Sequence, residues 1–159
     1  MENKKEFTEV QKMWQWWLWL VLFITVLPLI AIILVQFFTG KPVGDHPASN
    51  TILLLLIVFI FLPIFLFFYF FKLTTRIDEN TIYYGFFSLN ELKWDDVKEA
   101  SLIKYSFFGF GYKISREYGE VYNTRGNMGL WITTQRGGKI LIGTNKPDEL
   151  KAFLEAIGR

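Results

Sequence analysis

The sequence predicts two membrane-spanning helices followed by a small, mainly β domain that ends in one helix. Three observations predict this fold class: two long apolar runs without a charged residue, short alternating apolar runs after Lys72, and a helical apolar stripe near the C-terminus. The period of each pattern decides the element type, because side chains repeat every 3.6 residues on a helix face and every two on a strand face.

The two apolar runs, Trp14–Phe38 and Thr51–Phe71, contain no Asp, Glu, Lys or Arg. About 20 apolar residues cover a hydrocarbon core about 30 Å thick, so each run is predicted to be a transmembrane helix. The first run is too long for the apolar part of a signal peptide and lacks a small-residue cleavage site, so we expect it to stay as an anchor. Residues 39–50, rich in Gly and Pro, are predicted to form an extracytoplasmic loop.

Basic residues at the ends of the runs predict the orientation of this hairpin. The 39–50 loop contains one lysine, whereas five basic residues flank the outer ends: Lys4, Lys5, Lys12, Lys72 and Arg76. Because Lys and Arg accumulate on the cytoplasmic side of a membrane, we expect both termini in the cytoplasm. Residues 1–13 are then a cytoplasmic N-terminal segment and residues 72–159 a cytoplasmic domain.

Prolines and tryptophans mark further features of the hairpin. Pro28 and Pro63 are predicted to fall at similar depths and to kink both helices. A broken-helix transport site is the alternative interpretation, but no ionisable residue accompanies either proline. The tryptophans at the start of the first run are interpreted as interfacial anchors rather than a ligand cage. They are Trp14, Trp16, Trp17 and Trp19.

Alternating apolar residues and turn signals after Lys72 predict about seven antiparallel strands. The segments 73–77 and 82–86 alternate apolar and polar residues on either side of Asp78–Asn80, which is typical of a β-hairpin. Further strands are predicted near residues 92–94, 100–105, 112–115, 121–123, 130–134 and 139–143.

The last segment has the apolar stripe of an amphipathic helix. The stripe consists of Leu150, Phe153, Leu154 and Ile157. Asn145 is predicted to cap this helix, Pro147 to lie in its first turn and Gly158 to end it.

Three segments carry a family resemblance: TTRIDENTIYY at Thr74–Tyr84, LKWDDV at Leu92–Val97 and LIGTNKPDEL at Leu141–Leu150. They resemble the bacterial pleckstrin-homology-like (PH-like) domains of small two-helix membrane proteins, in which a W-D-D-I type step follows an opening strand pair and a P-E-E-L type motif begins the terminal helix. The resemblance covers about residues 73–157 and extends to the two-helix anchor. It implies a PH-like fold in a bacterial inner-membrane protein and a non-catalytic interaction or assembly role.

Composition excludes several classes of function. Residues 72–159 hold 13 Lys/Arg and 11 Asp/Glu, which is too balanced for nucleic-acid binding. The chain has no cysteine, and its single histidine, His46, lies in the predicted loop, so we expect no metal site and no cofactor. Asp95 and Asp96 are adjacent and would face opposite ways, so they are interpreted as turn residues rather than catalytic carboxylates. We therefore expect no enzyme activity.

The first hairpin loop of the predicted domain argues against one PH-domain activity. Eukaryotic PH domains hold phosphoinositides with basic residues around this loop. Here the loop is acidic, Asp78–Asn80, and would repel phosphate groups. No phosphoinositide site of that type is therefore expected.

Residues 104–127 contain the candidate contact residues. Aromatic and basic side chains surround the segment 106–111, and two asparagines follow: Lys104, Phe107, Phe108, Phe110, Lys113, Arg116, Asn123, Arg125 and Asn127. In one interpretation the segment lies beside the bilayer, with Phe inserted and cations at anionic headgroups. In the other, the Phe side chains are partly in the core, the cations are solvated and the asparagines belong to a self-satisfied turn.

The predicted function is a membrane-anchored, non-catalytic interaction or assembly module. We expect it to act on a membrane-protein partner or a second copy at the cytoplasmic face, because anchoring raises the effective concentration of the domain there. The alternative is binding or sensing of anionic lipid headgroups by the surface around residues 104–125.

Overall fold

The computed structural model describes residues 6–12, 16–106 and 109–159 and divides the chain into two compact units. One unit, here called the hairpin unit, is Trp14–Phe70. The other, here called the β domain, combines Met1–Met13 with Phe71–Arg159. Residues on both sides of the hairpin unit therefore build one domain.

The hairpin unit contains two helical stretches that are long and apolar enough to cross a membrane, as predicted. The first is α1, Trp16–Thr39. The second consists of α2 (Asn50–Leu56), a π-helical segment (Ile57–Phe61) and α3 (Leu62–Phe70). Almost none of the residues in either stretch is buried, unlike the core helix of a soluble protein.

Local chemistry explains where the second stretch begins and why it is interrupted. Ser49 is the N-cap of α2, and its Oγ accepts a hydrogen bond from the Ile52 N–H at 3.3 Å. Pro63 has no N–H to donate to the carbonyl of Phe59 four residues before it, and Phe59 lies in the π-helical segment. In contrast, α1 continues as an α-helix through Pro28.

The described part of the β domain has nine strands in two sheets and one C-terminal helix. The first sheet is antiparallel, in the order β1-β2-β3-β4, and the second has the order β5-β8-β9-β7-β6. We predicted about seven strands, all antiparallel, but β7 and β9 run parallel. The strands are β1 (Glu6–Lys12), β2 (Lys72–Asp78), β3 (Thr81–Gly85), β4 (Asn90–Lys93), β5 (Val97–Lys104), β6 (Gly111–Ser115), β7 (Gly119–Asn123), β8 (Met128–Thr134) and β9 (Lys139–Thr144).

Strand β1 is the element that the sequence did not indicate. It pairs with β2 from Lys12 opposite Lys72 to Glu6 opposite Asp78. Its buried side chains are Phe7, Glu9 and Gln11, so two of its three inward positions are polar. The apolar alternation that indicates a strand is therefore missing, and the predicted separate N-terminal segment is instead a strand of the β domain.

The hydrophobic core contains side chains from both sheets and from the C-terminal helix α4, Pro147–Ala156. Leu73 and Ile77 of β2 and Ile132 and Ile142 of the second sheet are fully or almost fully buried. The Phe7 ring lies 6.3 Å from the Phe153 ring of α4, which places β1 against the helix. A smaller cluster on the other face of the second sheet consists of Tyr105, Val121 and Leu141.

The ends of α4 follow the prediction at two positions and correct it at a third. Pro147 is in the first turn, and Gly158, with a φ of 73°, ends the helix. The Arg159 N–H donates to Leu154 O at 2.8 Å, as in a Schellman motif. The N-cap residue is Lys146 rather than Asn145, whose Nδ2 donates to Gln11 Oε1 at 3.0 Å.

Phe7→Ala should destabilise the β domain although Phe7 lies before the hairpin unit. Phe7 is 5% exposed, and the loss of a buried phenyl group costs about 3–5 kcal/mol, a large share of the stability of a small domain. Denaturant unfolding of the full chain in detergent, followed by pulse proteolysis, measures this loss.

Val10→Ala is the matched control, since Val10 lies on the same strand and is 50% exposed. It should change the free energy of unfolding by about 0.5 kcal/mol or less. Equal protection of the two variants from protease would contradict the place of β1 in the core.

Candidate interaction surface

The β domain has one end at which the chain continues into the hairpin unit. Lys12 is the last residue of β1 and pairs with Lys72, the first residue of β2. Phe71 belongs to the β domain and is bonded to Phe70, the last residue of α3. We call this end, which holds Lys12 and Phe71, the span end, and the opposite end, which holds Glu6 and Asp78, the far end.

Gln11 shows which end of the second sheet belongs to the span end. Its Nε2 donates to Gly143 O at 2.6 Å, and its Oε1 accepts from Thr124 Oγ1 at 2.6 Å. Gly143 lies in β9 and Thr124 directly follows β7, so the final residues of both strands meet β1 there. The turn 124–127 therefore lies at the span end.

A buried carboxylate strengthens the same junction between the sheets. Glu9 is 5% exposed, and its two oxygens accept hydrogen bonds from Thr144 Oγ1 at 2.6 Å and from the Asn145 N–H at 2.8 Å. Burial of a carboxylate is costly unless its oxygens are hydrogen-bonded, and here each oxygen has a donor. β1 is thus attached to the second sheet by polar contacts rather than by apolar packing alone.

Aromatic rings connect the start of β2 to the turn between β3 and β4. The Phe71 ring stacks on Phe86 with 4.5 Å between centroids and lies 5.3 Å from the Phe87 ring, edge to face. A Cβ atom at Gly111 would lie 3.8 Å from Phe71 Cζ, so the start of β6 is also beside Phe71. The turn 86–89 and the residues before β6 therefore also lie at the span end.

Tyr122 is at the centre of a neighbouring cluster of tyrosines. Its ring lies 5.0 Å from the rings of both Tyr84 and Tyr112. Its hydroxyl donates to Glu120 Oε2 at 3.0 Å and accepts from Asn90 Nδ2 at 3.2 Å. The cluster thus links β3 and β4 of the first sheet with β6 and β7 of the second.

Burial raises the pKa of the Tyr84 and Tyr122 hydroxyl groups. It raises the pKa of Tyr84 from its ordinary value of 10.0 to about 12. Burial, with the hydrogen bond to Glu120 as the next cause, also raises the pKa of Tyr122 above its ordinary value. Both groups are therefore neutral at physiological pH and act as hydrogen-bonding and packing groups rather than as bases.

The exposed large apolar side chains of the β domain are concentrated on two segments. In the turn between β3 and β4, Phe87 is 70% exposed and Leu89 is 51% exposed. Around β6, Phe110 is 44%, Tyr112 51% and Ile114 77% exposed. Phe71 lies beside both Phe87 and Gly111, and Tyr122 lies beside both Phe86 and Tyr112, so the two segments are close together.

β6 is an edge strand whose chemistry differs from that of the other edges. In the described sheets it pairs with β7 alone, and β1, β4 and β5 are the other edge strands. Those three carry charges of both signs, as on β5 with Lys98 and Glu99, and charged side chains protect an edge from strand addition. β6 exposes Tyr112 and Ile114 on one face and has a single charged residue, Lys113.

Most of the predicted contact residues lie at the span end. Lys104 ends β5, Arg125 and Asn127 are exposed in the turn 124–127, and Phe110 and Lys113 lie at the start of β6. The Lys113 Nζ lies 3.4 Å from Gly109 O, and burial lowers the pKa of this amine.

Of the other four predicted contact residues, two do not join this group and two lie at positions that the structure does not describe. Arg116 is in the turn between β6 and β7, at the far end. Asn123 is 2% exposed and donates Nδ2 to Gly109 O at 3.2 Å, so it holds a loop in place and does not face a partner. Phe107 and Phe108 lie outside the described residues.

Sequence reasoning missed Phe87, Leu89 and Ile114. The first two had a usable signal, because the turn Phe86-Phe87-Ser88-Leu89 has three large apolar residues where Gly, Asn or Asp is usual. Ile114 had none, because its exposure follows from the edge position of β6. In the described part of the chain no group of three or more His, Cys, Asp or Glu could hold a metal ion.

Comparison of the chain with family models, curated proteins and solved structures gives no match.

The stability of the β domain should fall as the pH rises from 10 to 12. In this window an unfolded Tyr84 releases its proton while the folded one keeps it, so the folded state binds more protons and loses stability with rising pH. Tyr84→Phe should reduce this slope. Denaturant unfolding at a series of pH values measures it, and an unchanged slope between pH 10 and 12 would contradict the burial of the hydroxyl.

Proposed function

We propose that this chain is a membrane-anchored, non-catalytic interaction module whose PH-like β domain binds a protein partner at the cytoplasmic face of a bacterial inner membrane. Two helices long and apolar enough to cross a membrane support the anchoring. The basic residues at their outer ends support the cytoplasmic orientation. Two sheets followed by a C-terminal helix are compatible with the PH-like assignment.

The way in which the β domain is connected supports a role close to the membrane. No linker separates α3 from the domain, because Phe71 follows Phe70 directly and already packs on Phe86. The other connection ends at Lys12, which pairs with Lys72. Because the domain is covalently joined to the predicted anchor at Phe71, its effective concentration for partners in the same membrane is high.

The exposed apolar edge strand β6 is the observation that carries the proposal. A partner segment in extended conformation can add to the open edge of a sheet through main-chain hydrogen bonds, while side chains on alternate positions provide specificity. On β6 these positions are Tyr112 and Ile114, 51% and 77% exposed. The proposed partner is therefore a membrane protein with an extended, apolar segment next to the bilayer.

Photocrosslinking in cells tests this contact. Probes that replace Tyr112 or Ile114 should both form an adduct with the same membrane protein or with a second copy, because alternate residues of an edge strand face one partner strand. With the probe at Tyr112, Ile114→Asp should abolish the adduct, since a carboxylate is costly to bury in an apolar contact.

Val10→Asp is the matched control for this experiment. Val10 is 50% exposed on β1, an edge strand of the other sheet, and its replacement should leave the adduct unchanged. The proposal would be contradicted if the probes formed adducts with lipid alone. It would also be contradicted if Ile114→Asp and Val10→Asp reduced the protein adduct equally. Labelling of Gly158→Cys by a membrane-impermeant maleimide in intact cells would contradict the cytoplasmic orientation.

A further inference from the structure

The turns at the two ends of the β domain have different chemistry. At the span end, Phe87, Leu89 and Phe110 expose large apolar side chains. The described turns at the far end expose charged residues instead, such as Glu79 and Arg136. Turn residues are usually polar because turns face water. The span end therefore has the composition of a surface that contacts an apolar phase.

The covalent connection between the span end and α3 indicates which apolar phase is near the exposed aromatic residues. The Phe87 ring packs at 5.3 Å from the ring of Phe71, and Phe71 is bonded to the last residue of α3. Consecutive Cα atoms are about 3.8 Å apart, so this ring pair stays close to the end of an apolar helix at any angle between the two units. If that helix crosses a membrane, the nearest apolar phase is the bilayer.

Basic residues lie at the span end of the β domain, as expected for a surface that faces anionic lipids. The pair of strands β1 and β2 has Lys12 and Lys72 at the span end and Glu6 and Asp78 at the far end. Lys104 and Arg125 are exposed at the span end of the second sheet. The carboxylate of β1 nearest to this end, Glu9, is buried and hydrogen-bonded. Basic side chains beside apolar ones are typical of protein surfaces that bind anionic membranes.

We propose that the span end of the β domain is a membrane-contact surface. Phe87, Leu89 and Phe110 enter the boundary between headgroups and acyl chains. Basic side chains around them contact the phosphate groups of anionic lipids: Lys12, Lys72, Lys104 and Arg125. The residues of this membrane contact do not include Ile114 on β6. The proposed membrane contact can therefore be tested independently of the proposed protein partner.

Site-directed spin labelling of the full chain in lipid nanodiscs tests the apolar part of the proposal. The chain has no cysteine, so Leu89→Cys places a single label at the span end. Oxygen concentrates in the bilayer and a nickel chelate stays in water, so the ratio of their relaxation effects reports contact with lipid. The matched control is Glu79→Cys in the far-end turn. We expect a several-fold higher oxygen-to-nickel ratio for Leu89→Cys than for Glu79→Cys, and equal ratios would overturn the proposal.

The lipid composition of the nanodiscs tests the basic part. The ratio at Leu89→Cys should rise when phosphatidylglycerol is added to phosphatidylcholine. Lys104→Glu combined with Arg125→Glu should remove this rise. Lys98→Glu combined with Arg136→Glu is the matched control, because Lys98 lies at the far end of the same strand as Lys104, and it should leave the rise unchanged. The role of the basic residues would be overturned if the oxygen-to-nickel ratio still rose in the Lys104→Glu, Arg125→Glu variant. It would also be overturned if the rise disappeared in both double variants.

Discussion

Pairing of β1 with β2 is the constraint on which the rest of the structure depends. The two strands are separated by the whole hairpin unit, yet they pair from Lys12 opposite Lys72 to the other end of both strands. The chain between β1 and β2 leaves the β domain and returns to the same end of it. If this part of the chain crosses a membrane, it must therefore cross an even number of times. Two helices long enough to cross meet this condition. Through Phe7 in the core and Gln11 at the second sheet, β1 also joins the two sheets on which the proposed interaction surfaces lie.

This arrangement gives the β domain a polarity that a separately folded, linked domain would lack. One end of its strands is joined to α3 through Phe71, and the described turns at that end carry aromatic and basic residues, while those at the other end carry charged residues of both signs. The exposed edge of β6 runs from the first end towards the second, with Gly111 beside Phe71 and Ile114 farther away. A lipid contact at the end and a protein contact along the edge are therefore compatible on one small domain.

Much of this fold could be predicted from the sequence because the relevant patterns are local. Length and hydropathy were enough to predict the two apolar helices. The turn at Asp78 was enough to predict the β2–β3 hairpin, and in the structure Asp78 Oδ1 accepts hydrogen bonds from the N–H groups of Asn80 and Thr81. β1 was missed because its inward Glu9 and Gln11 are polar and are stabilised by residues more than 100 positions away. The candidate surface was only partly predictable for the same reason: strand register brings Lys104 and Arg125 to one end and sends Arg116 to the other.

The pairing of β1 with β2 can be tested directly in the full chain in membranes. Val10 and Thr74 are direct partners across β1 and β2, whereas Glu79 lies five residues farther along, about 17 Å away along an extended strand. Two introduced cysteines are linked by a short thiol-reactive crosslinker, and the chain is then cut at a protease site placed in the 39–50 loop. The N-terminal and C-terminal halves of the chain stay joined after cleavage only if the crosslink has formed. We predict joined halves for Val10→Cys with Thr74→Cys and separated halves for Val10→Cys with Glu79→Cys. Separated halves for both pairs, or equal crosslinking of both, would contradict the pairing of β1 with β2.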